Sequence, residues 1–223
     1  MIRNWILIAL LCLSCAAIAA PSTLNWADLQ PDDPALRARV AALNSAEKNR
    51  LIRAVQKREL EQAMKKDNVK PDALSEKDRQ LLKEDLRDLS AFVDEIANFE
   101  KKRTSELKQA LNQKEVRIDG YLLPLKQTDR KVTEFLLVPV IGACIHVPAP
   151  PPNQMIVVSY PQGYLQSGMF APVTISGKLQ VGTSKASLSL VDGSAMVEAG
   201  YRMQADDVRP YKRQDTKKQE VSQ

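Results

Sequence analysis

Histidine and cysteine are almost missing from this chain of 223 residues. His146 is the single histidine, and two of the three cysteines, Cys12 and Cys15, lie in an apolar N-terminal leader, so Cys144 is the one thiol beyond it. A structural zinc site takes four ligands in a tetrahedron. Cys144 and His146 supply two, and the rest would have to be carboxylates such as Glu134 or Asp119, water, or groups from a second chain. No further cysteine follows the leader to support disulfide exchange within the chain. Also missing are a phosphate-cradling glycine loop, a serine triad and a paired-acid motif, so nucleotide-binding and hydrolase chemistry have no support. Nor is charge of one sign in large excess. The 32 basic and 27 acidic residues leave a formal net charge of +5, and they alternate along the helical part as on a solvated face. That balance argues against a nucleic-acid partner.

Long hydrophobic runs are scarce as well. The longest, Trp5 to Leu13, follows Arg3 and falls short of the ~20 residues a bilayer-spanning helix needs. With Ala17-Ile18-Ala19 behind it, the run reads as a signal peptide, 1–19, cleaved after Ala19. The alternatives are an anchor kept through an uncleaved leader, or lipidation at Cys15, whose preceding residues Cys12-Leu13-Ser14 fit a lipid-attachment motif poorly. The expected product is an exported protein. Cys144 would then sit in an oxidising compartment without a partner in its own chain.

Glycine divides the remainder. Pro34 to Lys114 has none and is rich in Ala, Leu, Glu and Lys, which marks 20–114 as a helical region. Ser45 is placed to cap a helix carrying Leu51, Ile52, Val55 and Leu60 that ends near Asp67-Asn68. Ser75, with Asp78 three residues on, starts a second, longer helix. In it Leu82, Leu86, Leu89, Val93 and Ile96 alternate in steps of four and three, the seam of a coiled-coil-like hairpin or of a homodimer through this region. From Glu115 the grammar turns to short β-branched runs broken by glycine and proline. Strands are predicted at Val116–Leu122, Thr133–Val138, Met155–Tyr160, Val173–Val181 and Tyr201–Val208, with Thr133–Val138 central because it has little polar face. Gly177 is read as a bulge or bend. The expected fold class is therefore α+β: an α-helical hairpin followed, over 115–208, by a small five-stranded barrel of oligonucleotide/oligosaccharide-binding (OB) type, with an irregular sandwich as the second choice. The polar tail, 209–223, is expected to be disordered.

Chemistry concentrates in Gly142-Ala143-Cys144-Ile145-His146-Val147-Pro148. On an extended backbone, residues two apart share a face, so the thiol and imidazole point the same way. The pair can hold a soft metal, zinc or Cu(I), as the partial site Cys144 and His146. It can equally be a buried thiol beside a histidine bonded to backbone, or a thiolate couple serving a thiol-dependent enzyme. No third group is evident to orient the imidazole, and the chain is read as a non-enzyme. Pro148, Pro150, Pro151 and Pro152 cannot join a sheet, because proline lacks the ladder donor. They form either a stiff loop or a polyproline II segment that, with Asn153 and Gln154, docks on a partner.

The order of these motifs resembles a known family. The run Val116 to Leu125, the strand Thr133 to Pro139, the Gly-Ala-Cys-Ile-His-Val-Pro signature with its proline run and Asn153-Gln154, then Val173 to Leu179 and Ala199-Gly200-Tyr201-Arg202, together resemble the bacterial exported family known as domain of unknown function 3299. The resemblance covers about 115–208. Ala149 interrupts a proline run that members commonly keep unbroken. The resemblance implies a periplasmic accessory or adaptor protein encoded beside a macrolide-export-like ABC transporter. Its partner would be the inner-membrane permease, and its setting the homeostasis of zinc or another metal. It implies no established reaction.

Overall fold

A computed structural model of the chain describes residues 20–140, 149–165, 168, 170–190 and 193–211. The expected leader, 1–19, and the tail from 212 onward lie outside them. Four α-helices precede most of a six-stranded sheet, a mixed α+β architecture.

Helix α1, Pro34–Ala42, begins with proline at its first position, and the Asp33 carboxylate accepts from the Leu36 N–H at 2.9 Å. Helix α2, Ser45–Asp67, is capped one residue earlier than the sequence reading placed it. The Asn44 side chain accepts from Glu47 N–H at 3.0 Å and the Glu47 carboxylate accepts from Asn44 N–H at 2.8 Å, a reciprocal capping box. It ends on Asn68 in the left-handed conformation, φ 51°.

The second, longer helix expected from Ser75 is instead broken in two. Ser75 does cap α3, accepting from Asp78 N–H, but α3 covers only Glu76–Lys83, and α4 resumes at Ser90–Ser105 after a single tight turn at Arg87–Leu89. The break is stabilised from outside. Lys57 of α2 donates to the carbonyls of Leu82 and Glu84 at 2.8 and 2.7 Å, satisfying acceptors that a continuing helix would have used. The seam residues still meet a partner: Val93 is buried with Leu51 and Ala54 of α2, and Leu86, Leu89 and Ile96 pack around them.

The sheet opens with β1, Ser22–Leu24, a strand absent from the sequence reading, which runs parallel to Val116–Ile118 of β2, Lys114–Thr128. Strand β1 adds a sixth strand to the five expected over 115–208. A tight turn at Asp129-Arg130, both at positive φ, leads from β2 into β3, Lys131–Val138. Then come β4, Ile156–Tyr164, and the long hairpin of β5, Ala171–Leu190, and β6, Gly193–Pro210. β6 extends past the expected boundary at residue 208, because Pro210 still opposes Val173 and Tyr211 N–H donates to Pro172.

Strand β2 pairs with β3 on one side and with β5 along Lys114–Leu122, β4 pairs in parallel with β6, and β5 pairs with β6, so five strands close into a ring. At Gly177 the β5 register shifts, and a Cβ there would overlap the backbone of Gln204 and Ala205, which is why glycine occupies the bulge. Inside the ring lie Ile118, Phe135, Leu137, Val158, Ile175 and Met203. Beyond a second shift, between Val181 and Ser184, the outer part of the hairpin brings Leu188, Val197 and Ala199 against Leu123, Leu136, Val138 and Met155. Strand β3 is thus buried on both faces, which accounts for its almost unbroken apolar sequence.

Candidate functional site

Cys144, His146 and Pro148 lie outside the described residues. What is described is the segment that follows them. Pro150, Pro151 and Pro152 are half-buried, Ala149 is exposed, and Asn153 is fully buried at the head of a short turn, Pro152–Gln154. The Asn153 Nδ2 donates to the carbonyls of Arg103 and Glu106 at 2.7 and 2.9 Å, closing the last turn of α4. Its Oδ1 is buried without a hydrogen-bond partner among the described residues. Gln154 Nε2 donates to the carbonyl of Trp26 at 2.9 Å, and Trp26 Nε1 donates to that of Asp119 at 2.7 Å. The amides of Asn153 and Gln154, expected to face a partner with the prolines, are thus engaged within the chain itself.

Beside them stands Tyr201, fully buried among the ring's core residues. Its hydroxyl donates to the Leu29 carbonyl at 2.6 Å and accepts from Lys108 N–H at 2.8 Å. Burial raises the phenol above its ordinary value, opposed in part by the hydrogen bond from Lys108. The neighbouring Gly200 leaves room for Leu107 and the Pro152 carbonyl, both of which a Cβ would crowd. Sequence reading placed Tyr201 at the start of a strand but had no signal for its two backbone partners, one of them 172 residues away.

A second feature lies on the outer face of the ring. Cross-strand register aligns Lys126 on β2, Glu134 on β3, Ser159 on β4 and Gln204 on β6 in one row. In the adjoining row Arg202 on β6 stands between Val157 and Gln180. Alternation sends Phe135, Val158 and Met203 inward and these side chains outward. The hairpin stretch Ser184–Ser187 forms the wall of an open groove of about 630 Å³ over these rows. Lys126, Glu134, Lys185 and Arg202 form no ion pair with any described residue, and Ser184 Oγ is screened from solvent without a partner among the described residues.

Of the carboxylates weighed as extra metal ligands, Glu134 lines this groove and Asp119 accepts from the Thr174 hydroxyl. Among the described residues, no three His, Cys, Asp or Glu side chains gather to hold a metal. No helix among them is long and apolar enough to cross a membrane.

The family described as protein of unknown function DUF3299 matches residues 26–210. The chain belongs to that family. The match corrects the extent read from the sequence, about 115–208: it begins at Trp26 and takes in all four helices as well as the ring. The DUF3299 span therefore holds every residue of the Trp26–Asn153–Tyr201 seam. Among solved structures, the chain is similar to a DUF3299 family protein from Pseudomonas aeruginosa PAO1, at 25% identity and a TM-score of 0.45 over 86% of this chain and 97% of that one. No curated protein matches it.

Proposed function

We propose that this DUF3299 protein is a binding protein and not an enzyme: an exported periplasmic accessory or adaptor for a macrolide-export-like ABC transporter, engaged in the homeostasis of zinc or another metal. The observation that carries the reading is the seam. Asn153, Gln154 and Tyr201 tie the end of α4, the N-terminal segment and the ring into one body. An adaptor holds two contact surfaces in a fixed relation, and buried hydrogen bonds of this kind fix such a relation better than a tether does. The strand order of the ring, with its parallel β4–β6 pair, supports an OB-like barrel, an architecture that serves as a binding scaffold in many settings. The α2–α4 contact supports a helical arm beside it.

The proline run is the contact surface of choice. It enters the seam directly at Asn153, and its residues have no backbone N–H to lose to a sheet. A photo-crosslinking residue at exposed Ala149, in the protein exported in its own cells, tests this. The expected product is an adduct with an inner-membrane permease subunit, and recovery of no such adduct rejects the adaptor reading. The metal part is tested on the reduced protein with Zn(II) and Cu(I). Uptake by the unaltered chain that is lost in both Cys144→Ser and His146→Ala supports it, and no uptake by the unaltered chain removes it.

A further inference from the structure

We propose that the outer groove of the ring is a binding site for a short anionic saccharide, a sugar chain or ring carrying a carboxylate or phosphate. This is a function separate from the adaptor reading and from the Cys144–His146 pair. Volume and polarity come first. At about 630 Å³ the groove is in the range of small-molecule sites, but its floor is a hydrogen-bonding row of Ser159 and Gln204 with Gln180 beside it, unlike the apolar lining that suits a lipid or an aromatic ligand. Hydroxyls and amides both donate and accept, as sugar hydroxyls do. Leu125, Val157 and Ala186 add a narrow apolar strip of the size a sugar's C–H face needs.

Charge comes second. Lys126, Lys185 and Arg202 outnumber Glu134 three to one in the groove; Lys126 stands opposite Glu134 and Lys185 opposite Glu198 in the strand register without closing an ion pair, and Arg202 has no acid opposite it. At physiological ionic strength the screening length is about 8 Å, so these cations act on a group seated in the groove and little beyond it. Arg202 suits a carboxylate or phosphate because its planar fork can meet two oxygens at once. Glu134 gives the selectivity. Half-buried and without a side-chain donor among the described residues, it repels a bare anion but accepts a hydroxyl hydrogen from a ligand that carries one. A ligand with both an anionic group and hydroxyls satisfies the whole set.

Calorimetric titration of the full-length protein tests the assignment with trigalacturonate, its fully methyl-esterified neutral form, glucose 6-phosphate, inorganic phosphate and triglutamate. Binding of trigalacturonate or glucose 6-phosphate, with the neutral ester at least tenfold weaker, supports the site, and the tighter of the two identifies the anion. Arg202→Gln and Lys185→Gln, both at exposed positions, should each weaken binding about fivefold or more, with unchanged circular dichroism and melting temperature. Glu134→Leu should weaken it too. Tighter binding on removing that carboxylate would mean the groove reads charge alone and would overturn the saccharide assignment. So would inorganic phosphate or triglutamate binding as tightly as the saccharides, or no binding by either saccharide anion.

Discussion

A tyrosine hydroxyl and a carboxamide do at single positions what no stretch of this chain could do by pattern. Tyr201 holds the Leu29 carbonyl and the Lys108 N–H with one oxygen, and Asn153 holds the two carbonyls at the end of α4. Removing a partner from a buried group leaves the group unsatisfied, so Tyr201→Phe should cost about 1–3 kcal/mol of unfolding free energy, read from urea titration. The same residue sets a pH dependence. Burial raises its pKa above the ordinary value near 10, which means the fold favours the neutral phenol. Its contribution is complete below pH 10. As pH rises beyond that, the unfolded chain ionises first, and stability falls until the folded value is passed. Tyr164 is shifted in the same direction, also by burial, so the urea midpoint of Tyr201→Phe should drop less steeply between pH 9 and 11 than that of the unaltered chain without becoming flat. Equal slopes would disprove the role assigned to Tyr201.

At the level of helices and strands, Gly177 is the position with the least freedom. A methyl there meets backbone atoms of Gln204 and Ala205, which cannot rotate away as a side chain could. Gly177→Ala should therefore lower stability by about 1–3 kcal/mol or more, seen as a fall in melting temperature, because the hairpin must open to admit it. This bulge was legible: a glycine inside a β-branched run has few other reasons to be there. So was β3 as a central strand, since Thr133 to Val138 offers almost nothing to solvent. The helix break at Glu84 was not. Its cause is Lys57, a side chain 25 and 27 residues back whose ammonium replaces helical donors at Leu82 and Glu84, while the leucine spacing alone argued for continuity. The cap of α2 was misplaced by one residue because Asn44 and Ser45 are both good caps and only the Glu47 reciprocity decides between them. Strand β1 was missed for a related reason: three exposed or half-exposed residues carry no period, and their pairing with Val116–Ile118 is wholly long-range. The outer groove depended on register between four strands, which no single segment encodes.

For the molecule as a whole, the change of grammar near residue 115 suggests two parts that could be separated, yet the packing joins them. Leu29, from the N-terminal segment, is completely buried in the core cluster of the ring, with Leu24, Trp26, Leu107 and Leu111 packed against the same cluster. At the junction itself, Gln113 N–H donates to Leu179 and the Asn112 side chain accepts from Val181, so the chain is stitched to β5 where the two regions meet. A fragment limited to 115–208 would lose all of these apolar groups and, at the Asn153–Tyr201 seam, the carbonyls of Trp26, Leu29, Arg103 and Glu106 and the Lys108 N–H. Burial of Leu29 alone is worth about 1.5–3 kcal/mol, a sizeable part of a domain's net stability. The full chain should therefore unfold in urea as one cooperative step, with the helical far-ultraviolet signal and tryptophan fluorescence, dominated beyond the leader by Trp26 at the seam, sharing one midpoint. The 115–208 fragment should be markedly less stable than the full chain, and Leu29→Ala should shift both signals of the full chain together, by about 2–5 kcal/mol. Two separated transitions, or a fragment as stable as its parent, would show that the helical region and the ring fold independently and that the seam does not couple them.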